Sequence, residues 1–254
     1  MTDEAASTLR TVGFILAGSL FWLEYWDLKD RRRPEPRVRL FIAFLLGMVS
    51  AVCVLGIYSL LDWLGVPVEP GDQPLRAGLV CVLLVGPVEE GCKFLFARTI
   101  IFRWKTFDER VDGFVYAAAL ALGFAAFENV LSMPSLGWGG QLVRTLCAPL
   151  VHTLFAGIWG WGTAHAFRDV KDPRKRIWWQ VGSLALAATV HGLYDFALYA
   201  GARPPVVAGI VLGLWTAVIL GARRALALDD RDEALGSARS TTVRSGSVDG
   251  PRGE

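Results

Sequence analysis

The sequence predicts an all-α, polytopic membrane helix bundle of about seven transmembrane helices, and three observations predict it. Apolar residues make up 53% of the 254 positions and charged residues only 20%, which is too greasy for a water-soluble domain of this length. The apolar residues gather into runs matching the roughly 20 residues a helix needs to cross a hydrocarbon layer about 30 Å thick. Basic residues fall in alternate connecting segments, as they do where short cytoplasmic loops retain Lys and Arg. The formal charge of +2 provides no broad basic face, so no nucleic-acid partner is expected. Cys53, Cys81, Cys92 and Cys147 all lie in apolar stretches, where thiols act as small hydrophobes rather than as a disulfide framework.

The runs cover approximately 11–26, 40–61, 75–101, 112–131, 141–167, 177–200 and 205–222. Each is longer than the roughly 9 to 11 residues of a barrel strand and none alternates strictly, so helices are preferred. The first lacks the basic start and small-residue cleavage pattern of a signal peptide and runs into Asp27, Lys29 and Arg31 to Arg33, so it is expected to be retained. Segments 27–39, 98–110, 168–176 and 223–254 hold 6, 4, 5 and 6 basic residues, against only Arg10, Arg76, Arg144 and Arg203 in the alternate segments. This places the N-terminus outside and the C-terminus inside. Trp26, Trp63, Trp104, Trp138, Trp178 and Trp179 stand near predicted span ends and are expected to anchor at the headgroup layer. Residues 1–226 form the transmembrane domain. Residues 227–254, rich in Ser, Arg, Gly and Asp, have no apolar face to bury and are expected to be a disordered cytoplasmic tail.

Ionisable residues left inside the spans need a reason, because a charged side chain at a helix centre costs roughly 2.5 to 3.5 kcal/mol on insertion scales. Glu24 lies within a turn of its span's end and can snorkel. In the third span, Pro87 stands just before Glu89 and Glu90, and Lys93 follows Glu89 by one turn. Two adjacent carboxyls at mid-membrane cannot both ionise easily, which suits a group that takes up and returns a proton; the bland reading is an ion pair joining helices. The fourth span carries Phe124, Glu128 and Asn129, and an amide there can donate to a developing oxyanion or simply satisfy a neighbouring helix. His152 lies near the midplane of the fifth span, upstream of Gly157, Gly160 and Gly162, which permit close helix packing. His165, near the cytoplasmic end, is expected to be interfacial. His191 and Asp195 share one face of the sixth span, where the carboxylate can fix the imidazole's tautomer. Counting along each helix puts these polar groups at one depth, between the membrane centre and its outer third.

In this order, Glu89-Glu90-x-x-Lys93, Phe124-x-x-x-Glu128-Asn129, His152 and His191-x-x-x-Asp195 resemble the PrsW family of intramembrane proteases, which is related to the CAAX prenyl endopeptidases. The loop Asp30-Arg31-Arg32-Arg33-Pro34-Glu35-Pro36-Arg37 is similar to the family's charged Pro-Glu-Pro loop, and also reads as a stiff solvated linker. The resemblance covers roughly residues 12–200. It implies a transmembrane protease domain over 1–226 that hydrolyses a peptide bond of a membrane-bound protein in or beside the bilayer, with the Glu-Glu pair and His191 essential. Members of the family make the first cut in an anti-sigma factor on the extracytoplasmic side, so signal transduction at the bacterial plasma membrane is the implied setting.

Two mechanisms stay open. In one, Glu89 or Glu90 activates a water, His191 or His152 assists, Asn129 steadies the oxyanion, Asp195 orients His191 and Lys93 keeps one Glu ionised. In the other, Glu89, Glu90, His152 and His191 are candidates to hold zinc, although no His-Glu-x-x-His helix is present. A Cys-His protease built on Cys92 is less attractive, because an apolar setting disfavours the thiolate. The rival functions are a proton-coupled transporter using the same Glu/His/Asp relay, which lacks a visible inverted repeat, and a non-enzymatic receptor or scaffold.

Overall fold

The computed structural model describes residues 3–28 and 33–246. Asp30, Arg31 and Arg32 of the charged loop and residues 247–254 of the expected tail lie outside the described residues. Helix α1 spans Asp3–Asp27, α2 Arg37–Trp63, α3 Pro74–Val80, α4 Gly86–Thr99, α5 Asp112–Ser132, α6 Trp138–Arg168, α7 Pro173–Tyr199 and α8 Pro204–Gly246. Six of the predicted runs become unbroken helices long and apolar enough to cross a membrane. The third run, 75–101, differs: one π-helical turn, Cys81–Val85, interrupts the helical run from Pro74 to Thr99. Such turns often re-aim the residues that follow them, and here these are Glu89 and Glu90.

The helix ends follow local chemistry. Pro74 and Pro173 open α3 and α7, where a missing N–H costs nothing, and the Asp172 carboxylate accepts the Arg174 N–H at 2.8 Å to cap α7. Helices α2 and α7 both close on a glycine at positive φ, Gly65 at 76° and Gly201 at 70°. In each, the next residue's N–H returns to a carbonyl five positions back: Val66 to Leu61 and Ala202 to Ala197, both at 2.9 Å.

Helix α5 is the centre of the bundle and is mostly buried, whereas α8 is mostly exposed. It packs between α2 and α6, and its crossing with α6 is close because Gly113 and Gly160 each lie on the other's backbone carbonyl. A β-carbon at either position would overlap that oxygen, which accounts for Gly160 as a packing residue.

Two sequence expectations change. Trp26 is no interfacial anchor: it is 1% exposed, packed with Tyr25 inside the bundle, because α1 turns that face inward. Trp63, Trp138, Trp178 and Trp179 are exposed at helix ends as expected. The segment taken as tail differs over 227–246, where α8 continues as helix. Its acids have a partner that the sequence does not reveal: buried Arg110 donates to Asp169 at 2.5 Å, Asp229 at 2.7 Å and Asp232 at 2.8 Å. Near this cluster Tyr116 donates to Glu35 and lies 2.6 Å from the Thr106 hydroxyl.

Candidate active site

Glu89, Glu90, Lys93, Glu128, Asn129, His152, His191 and Asp195 converge on one place, while His165 lies apart on Asp169 and Trp161. The convergence begins at a close approach of α4 and α7. Gly86 lies against the Ala188 carbonyl and Gly192 against the Cys81 carbonyl, so the α7 backbone rests directly on the π-helical turn. That contact presents His191 to Glu90, with Nδ1 at 2.9 Å from Oε1. Glu90 is wholly buried and satisfied by three donors, since Lys93 Nζ lies 2.8 Å from Oε1 and the Trp159 indole N–H donates to Oε2 at 2.8 Å. A buried carboxylate is tolerable only when so compensated.

Glu89, one residue earlier, is slightly exposed where Glu90 is not. Its Oε2 has no hydrogen-bond partner among the described residues and lies 3.6 Å from Lys93 Nζ and 3.7 Å from His191 Nε2. Tyr58 of α2 approaches the other oxygen at 3.5 Å. Lys93 also sits 3.8 Å above the Phe124 ring and 3.1 Å from His152 Nδ1. Because the ammonium can only donate, that contact fixes Nδ1 as the acceptor and leaves the Nε2 proton for Glu128, 2.8 Å away. Glu128 is also held by Arg144. Arg144 Nε donates to Asn129 Oδ1 at 2.7 Å, while Asn129 Nδ2 is buried with no acceptor among the described residues. His191 stacks on Phe155 at 4.5 Å between ring centres and meets Asp195 at 3.3 Å from Nε2.

Exposure grades through the site. The side chains of Glu90 and Lys93 are 0% exposed, Glu89 13%, Asp195 29% and Glu128 35%. The site therefore opens at the Glu128, Arg144 and Asp195 end. Its floor is aromatic: Trp159 stands edge-on to Phe94 and Phe102, and Phe102 packs on Phe107 at 4.6 Å.

Glu89, His152 and His191 each offer a ligand atom, all within 4.8 Å of one another. The donor types suit a divalent ion of the zinc type, although Lys93 would have to leave His152 Nδ1 for that nitrogen to bind it. Each histidine has a carboxylate on one ring nitrogen, Glu90 for His191 and Glu128 for His152, the arrangement that orients metal-binding imidazoles. Cys92 packs into the apolar cluster of Val54 and Phe124 instead. Sequence reading did not find Trp159, Arg144 or Tyr58. A tryptophan flanked by Gly157 and Gly160 at mid-span, whose N–H needs a partner in a bilayer, is the signal that points to the first; Arg144 and Tyr58 carry no such mark.

The description of the family whose profile matches residues 35–222 is "PrsW family intramembrane metalloprotease". The chain is 31% identical over 204 residues to Protease PrsW of Geobacillus kaustophilus, covering 80% of this chain and 86% of that protein. Against Protease PrsW of Bacillus subtilis the identity is 32% over 189 residues, covering 73% and 81%. Against that of Clostridioides difficile it is 30% over 202 residues, covering 78% and 81%. No solved structure matches the chain significantly. Relatives named as proteases do not favour the transporter reading, and with six membrane-length helices the chain is a multi-pass bacterial membrane protease. Since the matched region runs from the loop before α2 into α8 and takes in every residue of the polar site, the chain belongs to the PrsW family of intramembrane proteases.

Proposed function

We propose that the chain cuts a membrane-bound protein at the cluster of Glu89, His152 and His191, with Glu89 as the general base. The observation that carries this reading is the convergence of three donors from α4, α6 and α7 with a carboxylate behind each imidazole. Glu89 has an oxygen with no hydrogen-bond partner among the described residues and is more exposed than Glu90, so it can take the proton of an attacking water and return it to the leaving amine. Glu90 is spent on Lys93, His191 and Trp159, so its part is to hold the His191 ring. Asn129, its carbonyl oxygen fixed by Arg144, keeps an amide N–H free for the developing oxyanion. Asp195 sits at the rim, within reach of His191.

Glu89, His152 and His191 would hold a zinc-type ion, which when bound would supply Lewis-acid activation of water and of the scissile carbonyl; in that version the Glu89 carboxylate is a ligand, and its general-base role belongs to the metal-free version. A metal-free version has an observation of its own: the Lys93 ammonium already stands 3.1 Å from His152 and 3.6 Å from Glu89, supplying positive charge among the same donors. The substrate we infer is a single-span anti-sigma factor cut on the outer side, which rests on the charge asymmetry of the loops and on the family.

The test is cleavage of such a reporter in proteoliposomes. Glu89→Gln, His152→Ala and His191→Ala are each expected to stop cleavage while the protein still inserts and folds; retained cleavage in all three rejects the site. Chelation should abolish cleavage and zinc should restore it. Active protein free of metal and indifferent to chelators selects the Lys93 version.

A further inference from the structure

A groove of 330 Å³ opens between α6 and α7, on the flank of the bundle away from the polar site, lined by Ile158, Trp161, Trp178, Trp179, Gly182, Ser183 and Leu186. Its walls are almost entirely apolar and it is open along one side, a setting in which a hydrocarbon chain can lie against the bundle. A β-carbon at Gly182 would meet no atom within 4 Å, so the space above this glycine is open.

Both walls become basic at the same end. On α7, Lys175, Trp179, Gly182 and Leu186 fall at helical spacing on one face, and Arg174 stands one turn before Trp178. On α6, Ile158, Trp161, His165 and Arg168 form the matching stripe, with His165 stacked on Trp161 and edge-on to Trp179 at 4.6 Å. The loop between the helices has two acids, and both are engaged: Asp169 with Arg110 and His165, Asp172 in capping α7. Among the described residues no carboxylate pairs with Arg168, Lys171, Arg174 or Lys175. Positive charge is thus left over where two helices leave the membrane, beside an apolar slot lined by tryptophans.

We propose that this groove is a binding site for one anionic phospholipid, its acyl chain against Trp161, Trp179 and Leu186 and its phosphate met by Arg174, Lys175 and Arg168. The apolar slot alone would accept any lipid; the surplus charge at its mouth selects an anionic headgroup.

Native mass spectrometry of the full-length protein in detergent tests this with three probes: phosphatidylglycerol, phosphatidylcholine and glycerol phosphate. One phosphatidylglycerol should be retained per protein, phosphatidylcholine about tenfold more weakly or worse, and glycerol phosphate not at all. Gly182→Leu fills the slot and should abolish retention while reporter cleavage continues. Arg174→Gln and Lys175→Gln should each weaken it about fivefold and the pair about 25-fold, and this pair carries the test should Gly182→Leu misfold. Equal retention of phosphatidylcholine overturns the proposal, as does undiminished binding by folded Gly182→Leu or by the double variant, or glycerol phosphate bound as tightly as the lipid. A photo-crosslinker at position 182 should capture phospholipid; capture of a polypeptide overturns it in favour of a helix-docking groove.

Discussion

Replacing Gly192 with alanine should disable the site without touching any of its polar atoms. A β-carbon there would stand 2.6 Å from Val82 Cα and closer still to the Cys81 carbonyl oxygen. Ordinary carbon contacts lie at about 3.5 to 4.0 Å, so α7 must retreat from the π-helical turn by about 1 Å. His191 is the preceding residue, and its 2.9 Å contact with Glu90 would open to nearly 4 Å, beyond hydrogen-bond range. A misplacement of this size costs about 10²-fold in rate, or roughly 2.7 kcal/mol in the barrier. Overpacking should also lower stability by about 1 to 3 kcal/mol, so cleavage of a reporter in proteoliposomes must be read beside thermal unfolding and well below the melting temperature. The control is Gly91→Ala on α4, adjacent to Glu90, where a β-carbon meets nothing within 4 Å. Undiminished cleavage by Gly192→Ala, or equal damage from Gly91→Ala, refutes the reasoning.

Trp159→Phe keeps an aromatic ring in the floor but removes the N–H that Glu90 accepts at 2.8 Å; hydrogen bonds to charged groups contribute about 1.5 to 3 kcal/mol, so kcat should fall about tenfold or more with KM little changed. Steady-state kinetics check this, and an unchanged kcat removes Trp159 from the positioning of Glu90. Outside the membrane, the Arg110 guanidinium holds the Asp169 carboxyl below the usual carboxylate range. The folded protein therefore binds this proton more weakly than the unfolded chain does. The stabilisation is present at neutral pH and is lost as pH falls from the ordinary carboxylate value toward the lower folded one. Melting temperature against pH should show this acid-side loss in the parent and a flatter curve in Asp169→Asn; identical curves contradict it.

What could be read from the sequence divides along physical lines. A charge inside a hydrocarbon span is expensive, so Glu89, Glu90, Lys93, Glu128, His152, His191 and Asp195 announced themselves, and counting along each helix, with the orientation taken from the basic loops, put them at a shared expected depth. Neutral partners carry no such penalty. Trp159 and Tyr58 read as ordinary apolar or interfacial residues, and only the packing of α6 and α2 against α4 reveals what they touch. Trp26 was misplaced because nearness to a span end does not say which way the side chain turns. The π-helical turn is hidden in Cys81–Val85, an unbroken apolar run whose extra residue per turn leaves no mark in composition. The acids of α8 looked like tail residues until Arg110, far away in the chain, supplied their counter-charge.

The aromatic floor beneath Glu90 has a consequence for the cell that carries this protein. Trp159, Phe94, Phe102 and Phe107 stack across the inner part of the bundle and offer a hopping proton no further oxygen or nitrogen beyond the indole already committed to Glu90. On the proposed reading of the site, water drawn to the Glu128 and Asp195 end would meet these rings, which give a hydrolase in an energised membrane a barrier against proton leakage.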